Sequence, residues 1–309
     1  MKPLLIIILG PTAVGKTELT LSIAERLNCP ILNCDSRQIY KGMKIGTASP
    51  TEEQLKRVQH YFVGNLEPED YYSAARYETD AIKLSEKLFK KHDTLVLSGG
   101  SMMYIDAVCN GIDDIPSVDE AIRLSLKERY EKEGIEKMLQ ELKIIDPEHY
   151  NSVDHKNWKR IIHALEIYYT TGKPYSSFLT RKNLRTCNKK NDTNNRDFRI
   201  LKIGLERPRE ELFERINSRV NQMIDDGLLH EAMTLYHLRD SNALNTVGYK
   251  EMFKVLDGTW ELPMAIERIK KNTRVYAKKQ LTWFKHDKNI TWFHPDQKED
   301  IIQFIYSKI

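Results

Sequence analysis

The stretch LLIIILGPTAVGKTELTLSIAERL, residues 4–27, decides the fold. Six apolar residues run into a glycine loop, and the loop runs into a segment whose apolar side chains recur at helical spacing. Residues 10–17, GPTAVGKT, fit the pattern G-x-x-x-x-G-K-[ST]. Between a strand and a helix this pattern has a mechanism: Gly10 and Gly15 let the backbone curl until N–H groups converge on phosphate oxygens at a helix N-terminus. Lys16 is expected to neutralise the terminal phosphate, and the Thr17 hydroxyl to coordinate Mg²⁺. Gly10, Pro11, Thr12, Ala13, Val14, Gly15, Lys16 and Thr17 are therefore the candidate phosphate cradle. The plainer alternative is a glycine turn joining a strand to a helix.

Working outward, apolar runs at residues 30–34 and 94–98 alternate with helical patterns at 16–27 and 73–91. That rhythm predicts an α/β fold: a parallel sheet with helices on both faces, binding ligands beyond the carboxyl ends of its strands. The apolar opening is far shorter than a membrane span and has no cleavage-site pattern, so it reads as a buried strand and no membrane partner is expected. From about residue 117 to 171 strand signals vanish, and charged amphipathic patterns at 120–132 and 155–169 predict an inserted helical lobe. Residues 182–196, KNLRTCNKKNDTNNR, predict a mobile basic loop. A strand then returns at 198–205, with helices at 208–225, 228–238, 247–256 and 262–285. The expected division is a P-loop core over residues 1–115 and 198–309, with residues 116–197 as the lobe.

The chain has 309 residues, 40% hydrophobic, enough for a sizeable core. Cys29, Cys34, Cys109 and Cys187 show no C-x-x-C spacing, which argues against structural zinc and a disulfide framework and fits a reducing cytoplasm. A net charge of +4 does not by itself point to nucleic acid, but its distribution is uneven. Residues 181–199 hold seven Lys or Arg against two acids, and residues 268–285 hold seven with no acid. The latter tract interleaves its charges with Tyr276, Trp283 and Phe284; it is either a solvated face with aromatics in the core or an RNA-phosphate surface. On the 155–169 pattern, Lys156, Lys159, Arg160 and His163 can share a face, while Ile162, Leu165 and Ile167 read as packing.

Many P-loop enzymes carry a magnesium-associated carboxylate at the end of a later strand. Here that strand ends in Ser98-Gly99-Gly100-Ser101, with no acid. The carboxylate instead follows the second strand, as Asp35 in Asp35-Ser36-Arg37-Gln38. It stands either at the P-loop mouth, touching a second substrate, or simply in a surface loop.

GPTAVGKT, DSRQIYKGMKIGTASP at 35–50 and SGGSMMY at 98–104 together resemble the tRNA dimethylallyltransferase (tRNA isopentenyltransferase) family. The resemblance continues through residues 145–176, 215–232, 246–251 and 273–284, so nearly the whole chain is covered in the family's order. It implies a P-loop core with a helical insertion, Mg²⁺ dependence, and transfer of dimethylallyl from dimethylallyl diphosphate to N6 of the adenine 3′ of the anticodon, tRNA position 37, with release of diphosphate. It further implies Asp35 as general base, Thr17 and Asp35 at the metal, Lys16 in the catalytic loop, and Arg219 acting on the diphosphate. Asp35, Ser36, Arg37, Gln38, Ser101, Arg123, Lys159, Arg160, Ile161, Ile162 and His163 correspond to contacts with the tRNA anticodon stem-loop. Two positions depart from the pattern: Met102 stands where relatives commonly have glycine, and His163 where arginine is common. No zinc-finger pattern follows at the C-terminal end, so the bacterial form is expected, as a cytoplasmic monomer.

The chemistry suits these residue types. Adenine's exocyclic amine is a poor nucleophile, so the allylic carbon must be activated by stabilising the diphosphate as its C–O bond breaks. Asp35 would accept the amine proton, and Gln38 would read an adenine edge unless its amide is used on backbone. Three other functions compete: a small-molecule kinase, a prenyltransferase of free AMP, and a non-catalytic RNA-binding protein with a relic P-loop. A kinase would transfer from ATP, a free-AMP enzyme would have no work for the basic lobe and tract, and a relic would not need intact Lys16, Thr17 and Asp35.

Overall fold

The computed structural model describes residues 2–113, 115–116, 118–179 and 196–309. They divide into two compact units, one over Met1–Asn110 and Asn194–Ile309, the other over Gly111–Thr193. The basic segment expected at 182–196 lies, except for Arg196, outside the described residues, as does Cys187. Cys29, Cys34 and Cys109 are free and buried.

The first unit is an α/β sheet of six parallel strands. β1 (Leu4–Leu9), β2 (Ile31–Asn33), β3 (His60–Tyr61), β4 (Thr94–Gly99), β5 (Arg199–Leu205) and β6 (Ile290–Phe293) lie in the order β3-β2-β4-β1-β5-β6. Every residue of β1 is buried, because the strand faces apolar layers on both sides. The two-residue strand period sorts these side chains: Leu5, Ile7 and Leu9 join Leu95 and Leu97 in one core, while Leu4, Ile6 and Ile8 join Val96, Ile203 and Leu205 in the other. The helices are α1 (Lys16–Leu27), α2 (Glu52–Arg57), α3 (Ala74–Leu88) and α4 (Met102–Asn110) before the second unit. After it come α9 (Arg209–Asp225), α10 (Leu228–Thr234), α11 (Tyr249–Leu256), α12 (Leu262–Lys285) and α13 (Lys298–Tyr306).

The second unit contains α5 (Glu120–Glu133), α6 (Ile135–Ile145), α7 (Pro147–Ser152) and α8 (Trp158–Thr171) around a core that includes Leu126, Met138, Leu142, Ile161 and Leu165. Its described residues contain no strand. The helix expected over 155–169 starts at Trp158, because the Asn157 side chain accepts the Arg160 N–H and caps it. Lys156 therefore precedes the helix and does not share a helical face with Lys159 and Arg160, which corrects that expectation. Similarly, the pattern over 228–238 divides into α10 and a 3₁₀ turn at Tyr236–Leu238. The 247–256 pattern begins only at Tyr249, after Gly248 at φ 101°.

One close approach fixes where the ligand-binding edge lies. Gly99 ends β4 so near β2 that a Cβ there would fall 2.1 Å from the Cys34 carbonyl oxygen. This tight seam brings Cys34 N–H to the Ser98 carbonyl at 2.7 Å and Ser101 N–H to the Cys34 carbonyl at 3.2 Å. A methyl group here must displace backbone. Gly99→Ala is expected to destabilise the first unit by about 1–3 kcal/mol, read as a lower denaturant midpoint at unchanged m-value; an unshifted midpoint would contradict the seam.

Candidate active site

The phosphate loop sits between β1 and α1, beyond the carboxyl edge of the sheet. Its path needs unusual backbone: Ala13 is left-handed at φ 64°, and Gly15 lies at φ 110°. α1 has no side-chain cap at its N-terminus, so its first N–H groups are open to an anion. The loop's carbonyls are held by cations. Lys16 Nζ donates to the carbonyls of Gly10 at 3.0 Å and Pro11 at 2.7 Å. Arg215 Nε donates to the Ala13 carbonyl at 3.0 Å, and Arg207 Nε to that of Val14 at 2.9 Å. Arg207 is itself anchored by Glu211 and, at 2.7 Å, by Asp296. Thr12 is fixed twice: its N–H donates to Gln280 Oε1 at 2.9 Å, and its hydroxyl accepts from Arg219 at 3.3 Å.

The resulting electrostatics favour an anion. Burial, then the charge of Arg219, pushes Lys16 down to about 7, against the opposing pull of Asp35. Burial also pushes Arg219 below its ordinary value, with Asp35 opposing and Arg215 adding to the shift. Lys16, Thr17, Asp35, Arg215, Arg219 and Tyr276 all line one cavity of about 1050 Å³. Asp35 is thus brought to the P-loop mouth and is no plain surface-loop residue. Among the described residues, no cluster of three or more His, Cys, Asp or Glu is arranged to hold a metal. Thr17 and Asp35 are oxygen donors to the same cavity, compatible with a hard cation that takes its remaining ligands from a bound diphosphate and water.

Asp35 begins a tight turn. Its Oδ1 accepts from the N–H groups of Arg37 at 2.8 Å and Gln38 at 3.3 Å, so neither bond uses Oδ2. Ser36 is half-buried beside it. Arg37 donates to the Asn242 carbonyl at 2.8 Å. Gln38 Nε2 donates to the carbonyls of both Thr47 and Ala48 at 3.0 Å. Its amide protons go to backbone, the second of the two alternatives open for this residue, while its side chain lines the cavity. Burial and then the Asp35 charge push the Tyr276 phenol up to about 12. Just after β4, Ser101 is buried. Met102 opens α4 and is not among the positive-φ residues, so glycine's freedom is not required there.

Two supporting residues escaped sequence reasoning. Glu231 accepts the N–H groups of Lys44 at 2.9 Å, Ile45 at 2.8 Å and Gly46 at 2.9 Å, and the Tyr249 hydroxyl at 2.7 Å. The Tyr249 ring occupies the space where a Gly46 Cβ would stand, 2.6 Å away. This clamp holds the segment whose next carbonyls, of Thr47 and Ala48, take the Gln38 amide. The second residue is Gln280, buried on α12 against the phosphate loop. Its available signal is an uncharged polar residue on the apolar face of a basic helix.

In the second unit, Glu166 is buried and receives Arg123 at 3.3 Å and His163 at 3.2 Å. Burial alone would raise its carboxyl, but the His163 hydrogen bond and the Arg123 charge outweigh that and hold it low. His163, the departure from arginine, therefore sits in a defined polar pair. Lys159 and Arg160 are exposed. Ile161 and Ile162, which correspond by position to the family's tRNA contacts, are buried in the unit's core, so Ile162 packs as its pattern suggested. On α12, Lys278 and Lys279 are exposed. The aromatics divide: Phe284 is in the core, whereas Tyr276 and Trp283 are 39% and 43% exposed.

Comparison with known proteins agrees with this geometry. The family described as IPP transferase matches residues 38–287. The chain is 58% identical over 307 residues to tRNA dimethylallyltransferase 1 of Phocaeicola vulgatus, covering 99% of each protein. Its fold is similar to the crystal structure of the tRNA isopentenylpyrophosphate transferase of Bacillus halodurans, with TM-score 0.69 and 35% identity over 99% of this chain and 97% of that one. A eukaryotic dimethylallyltransferase described as acting on tRNA aligns with TM-score 0.73 and 26% identity, over 91% of this chain and 69% of that one.

The depressed Lys16 predicts a proton linkage. Free Lys16 loses its proton as pH rises through about 7, and a bound anion raises its pKa again, so anion binding above that pH takes up a proton. Calorimetry of inorganic diphosphate binding at pH 8, in buffers of different ionisation enthalpy, is expected to show that uptake in the wild type and its loss in Lys16→Met. Equal proton balances in the two proteins would contradict the assignment.

Proposed function

The chain belongs to the IPP transferase family, and on that premise we propose that it transfers a dimethylallyl group from dimethylallyl diphosphate to N6 of the adenine at tRNA position 37, releasing diphosphate. One observation carries this reading. Asp35 shares a cavity with a phosphate loop backed by Lys16, Arg215 and Arg219, while β4 ends in Ser98-Gly99-Gly100-Ser101 without an acid. That arrangement favours a cradled diphosphate as leaving group, with a base waiting for a second substrate's proton. A kinase needs a carboxylate for its magnesium–nucleotide, and the end of β4 offers none.

The reaction follows from the charges. As the allylic C–O bond breaks, negative charge grows on the diphosphate, where the N–H groups opening α1, Lys16 and Arg219 meet it in a preorganised site. Positive charge spreads over the allylic carbons as N6 approaches. The amine proton passes to Asp35, whose Oδ1 is held by two backbone N–H groups and whose Oδ2 is left to receive it. Thr17 and Asp35 would hold Mg²⁺, which when bound supplies further charge to the leaving diphosphate.

The target base must leave its stack to enter, at a cost of a few kcal/mol that is least in a single-stranded loop. An anticodon loop meets that need. Tyr276 and Trp283, exposed beside Lys278 and Lys279, suit an RNA backbone with unstacked bases. Arg123, Lys159, Arg160 and His163 of the helical unit are assigned to the same partner. Among the described residues, no helix is long and apolar enough to cross a membrane.

Purified protein with Mg²⁺ and dimethylallyl diphosphate is expected to prenylate unmodified tRNA that carries adenine beside the anticodon. Asp35→Ala should stay folded and lose about 10²- to 10⁴-fold in rate; full activity in that variant would remove Asp35 from the mechanism. Reversing Lys278 and Lys279 to Glu should weaken tRNA binding and flatten its log–log salt dependence by about 2, with donor affinity unchanged. An unaltered slope would return those lysines to a solvated surface.

A further inference from the structure

We infer that Gln280 is a positioning residue for the transfer reaction, one that sets the phosphate loop and the loop after β4 in register through a two-bond amide staple. The inference rests on the function proposed above. Gln280 projects inward from α12 and is 2% exposed. Its Oε1 accepts the Thr12 N–H at 2.9 Å, and its Nε2 donates to the Gly100 carbonyl at 2.8 Å. The amide's orientation is dictated by its partners, since a backbone N–H can only donate and a carbonyl can only accept. A primary amide of this length satisfies both. Glutamate would set a carboxylate oxygen against the Gly100 carbonyl, and methionine would leave both buried groups without a partner.

Three features separate this staple from ordinary core packing. It joins two ligand-facing segments, because Thr12, Gly100 and Gln280 all line the cavity that holds Lys16 and Asp35. It takes the Thr12 N–H out of the set that faces the phosphates, so the cradle rests on the amides that follow. It also fixes Thr12, whose hydroxyl accepts a hydrogen bond from Arg219 at 3.3 Å. Gly100 is shaped for the contact: a Cβ there would stand 2.4 Å from Gln280 Nε2. Losing the staple lets Thr12 and Arg219 drift from the leaving diphosphate, and a displacement near 1 Å at a reacting centre costs on the order of 100-fold in rate. Lys278 and Lys279, which precede Gln280 on the same helix, are exposed, so tRNA affinity need not change.

The test uses the full chain and breaks the staple from both ends. Gln280→Met, Gln280→Glu and Gly100→Ala are compared with wild type for kcat, for KM toward donor and toward tRNA, for inorganic diphosphate binding and for thermal melting. Each variant is expected to lose about 10- to 100-fold in kcat, with a several-fold higher donor KM, weaker diphosphate binding and tRNA KM within two-fold. Gln280→Met combined with Gly100→Ala should be no worse than the poorer single variant, since both disrupt the same staple. A lower melting temperature with unchanged kcat, donor KM and diphosphate binding would overturn the inference, as would additive losses in the double variant. If Gln280→Met does not fold, Gly100→Ala carries the same comparison with Gln280 intact. A wild type that binds diphosphate but does not prenylate tRNA would overturn the proposed function instead, while diphosphate binding by the variants still decides the role of Gln280.

Discussion

The site depends on the way cations hold the carbonyls of the phosphate loop. Lys16, Arg207 and Arg215 take the carbonyls of Gly10, Pro11, Val14 and Ala13. A loop that bends through left-handed backbone has no secondary-structure partners for these oxygens, and buried carbonyls without hydrogen bonds are costly. Satisfying them from behind frees the loop to aim its N–H groups at a ligand. The arrangement also buries a cation before any anion arrives, and burial, then the charge of Arg219, depresses Lys16 to about 7. A diphosphate relieves that strain, and relieves it more as its charge grows during C–O cleavage. This is the differential stabilisation on which rate depends.

The acceptor side follows a different rule. Its backbone is held by carboxylates and amides, with Glu231 collecting the N–H groups of Lys44, Ile45 and Gly46 and Gln38 collecting the next two carbonyls. Asp35 uses one oxygen to close its own turn. The cavity therefore opposes a cationic wall to a rigid, carboxylate-bearing one, which suits separation of a leaving anion from a departing proton.

Much of this was legible in the sequence. The continuous apolar run at β1, the glycine loop and the amphipathic α1 and α12 are strong local signals, and α1 and α12 begin and end where the patterns place them. Short elements carry too little pattern: β3 has two residues, and β6 has four in a polar neighbourhood. Lys16 and Asp35 converge on one cavity because strand ends in a parallel sheet share an edge, a consequence of topology that sequence can anticipate, whereas Arg219 reaches it from within α9. Gln280 and Glu231 were not legible, since their value lies in backbone groups distant in the chain that only the fold brings near. Gln38 illustrates the converse: its composition suggested base recognition, but the Thr47 and Ala48 carbonyls took its amide. Arg215, one turn before Arg219, likewise shows its part only in the fold, where it holds the Ala13 carbonyl.

In this mechanism carbon is transferred and the cradled diphosphate leaves. This is tested most directly by turnover of dimethylallyl diphosphate carrying heavy oxygen at the bridging position between C1 and phosphorus, followed by mass analysis of both products. The account predicts that all of the label appears in released diphosphate and that the tRNA gains a dimethylallyl group on the N6 of one adenine beside the anticodon. Label retained with the prenyl fragment, or a phosphoryl group appearing on the acceptor, would contradict it.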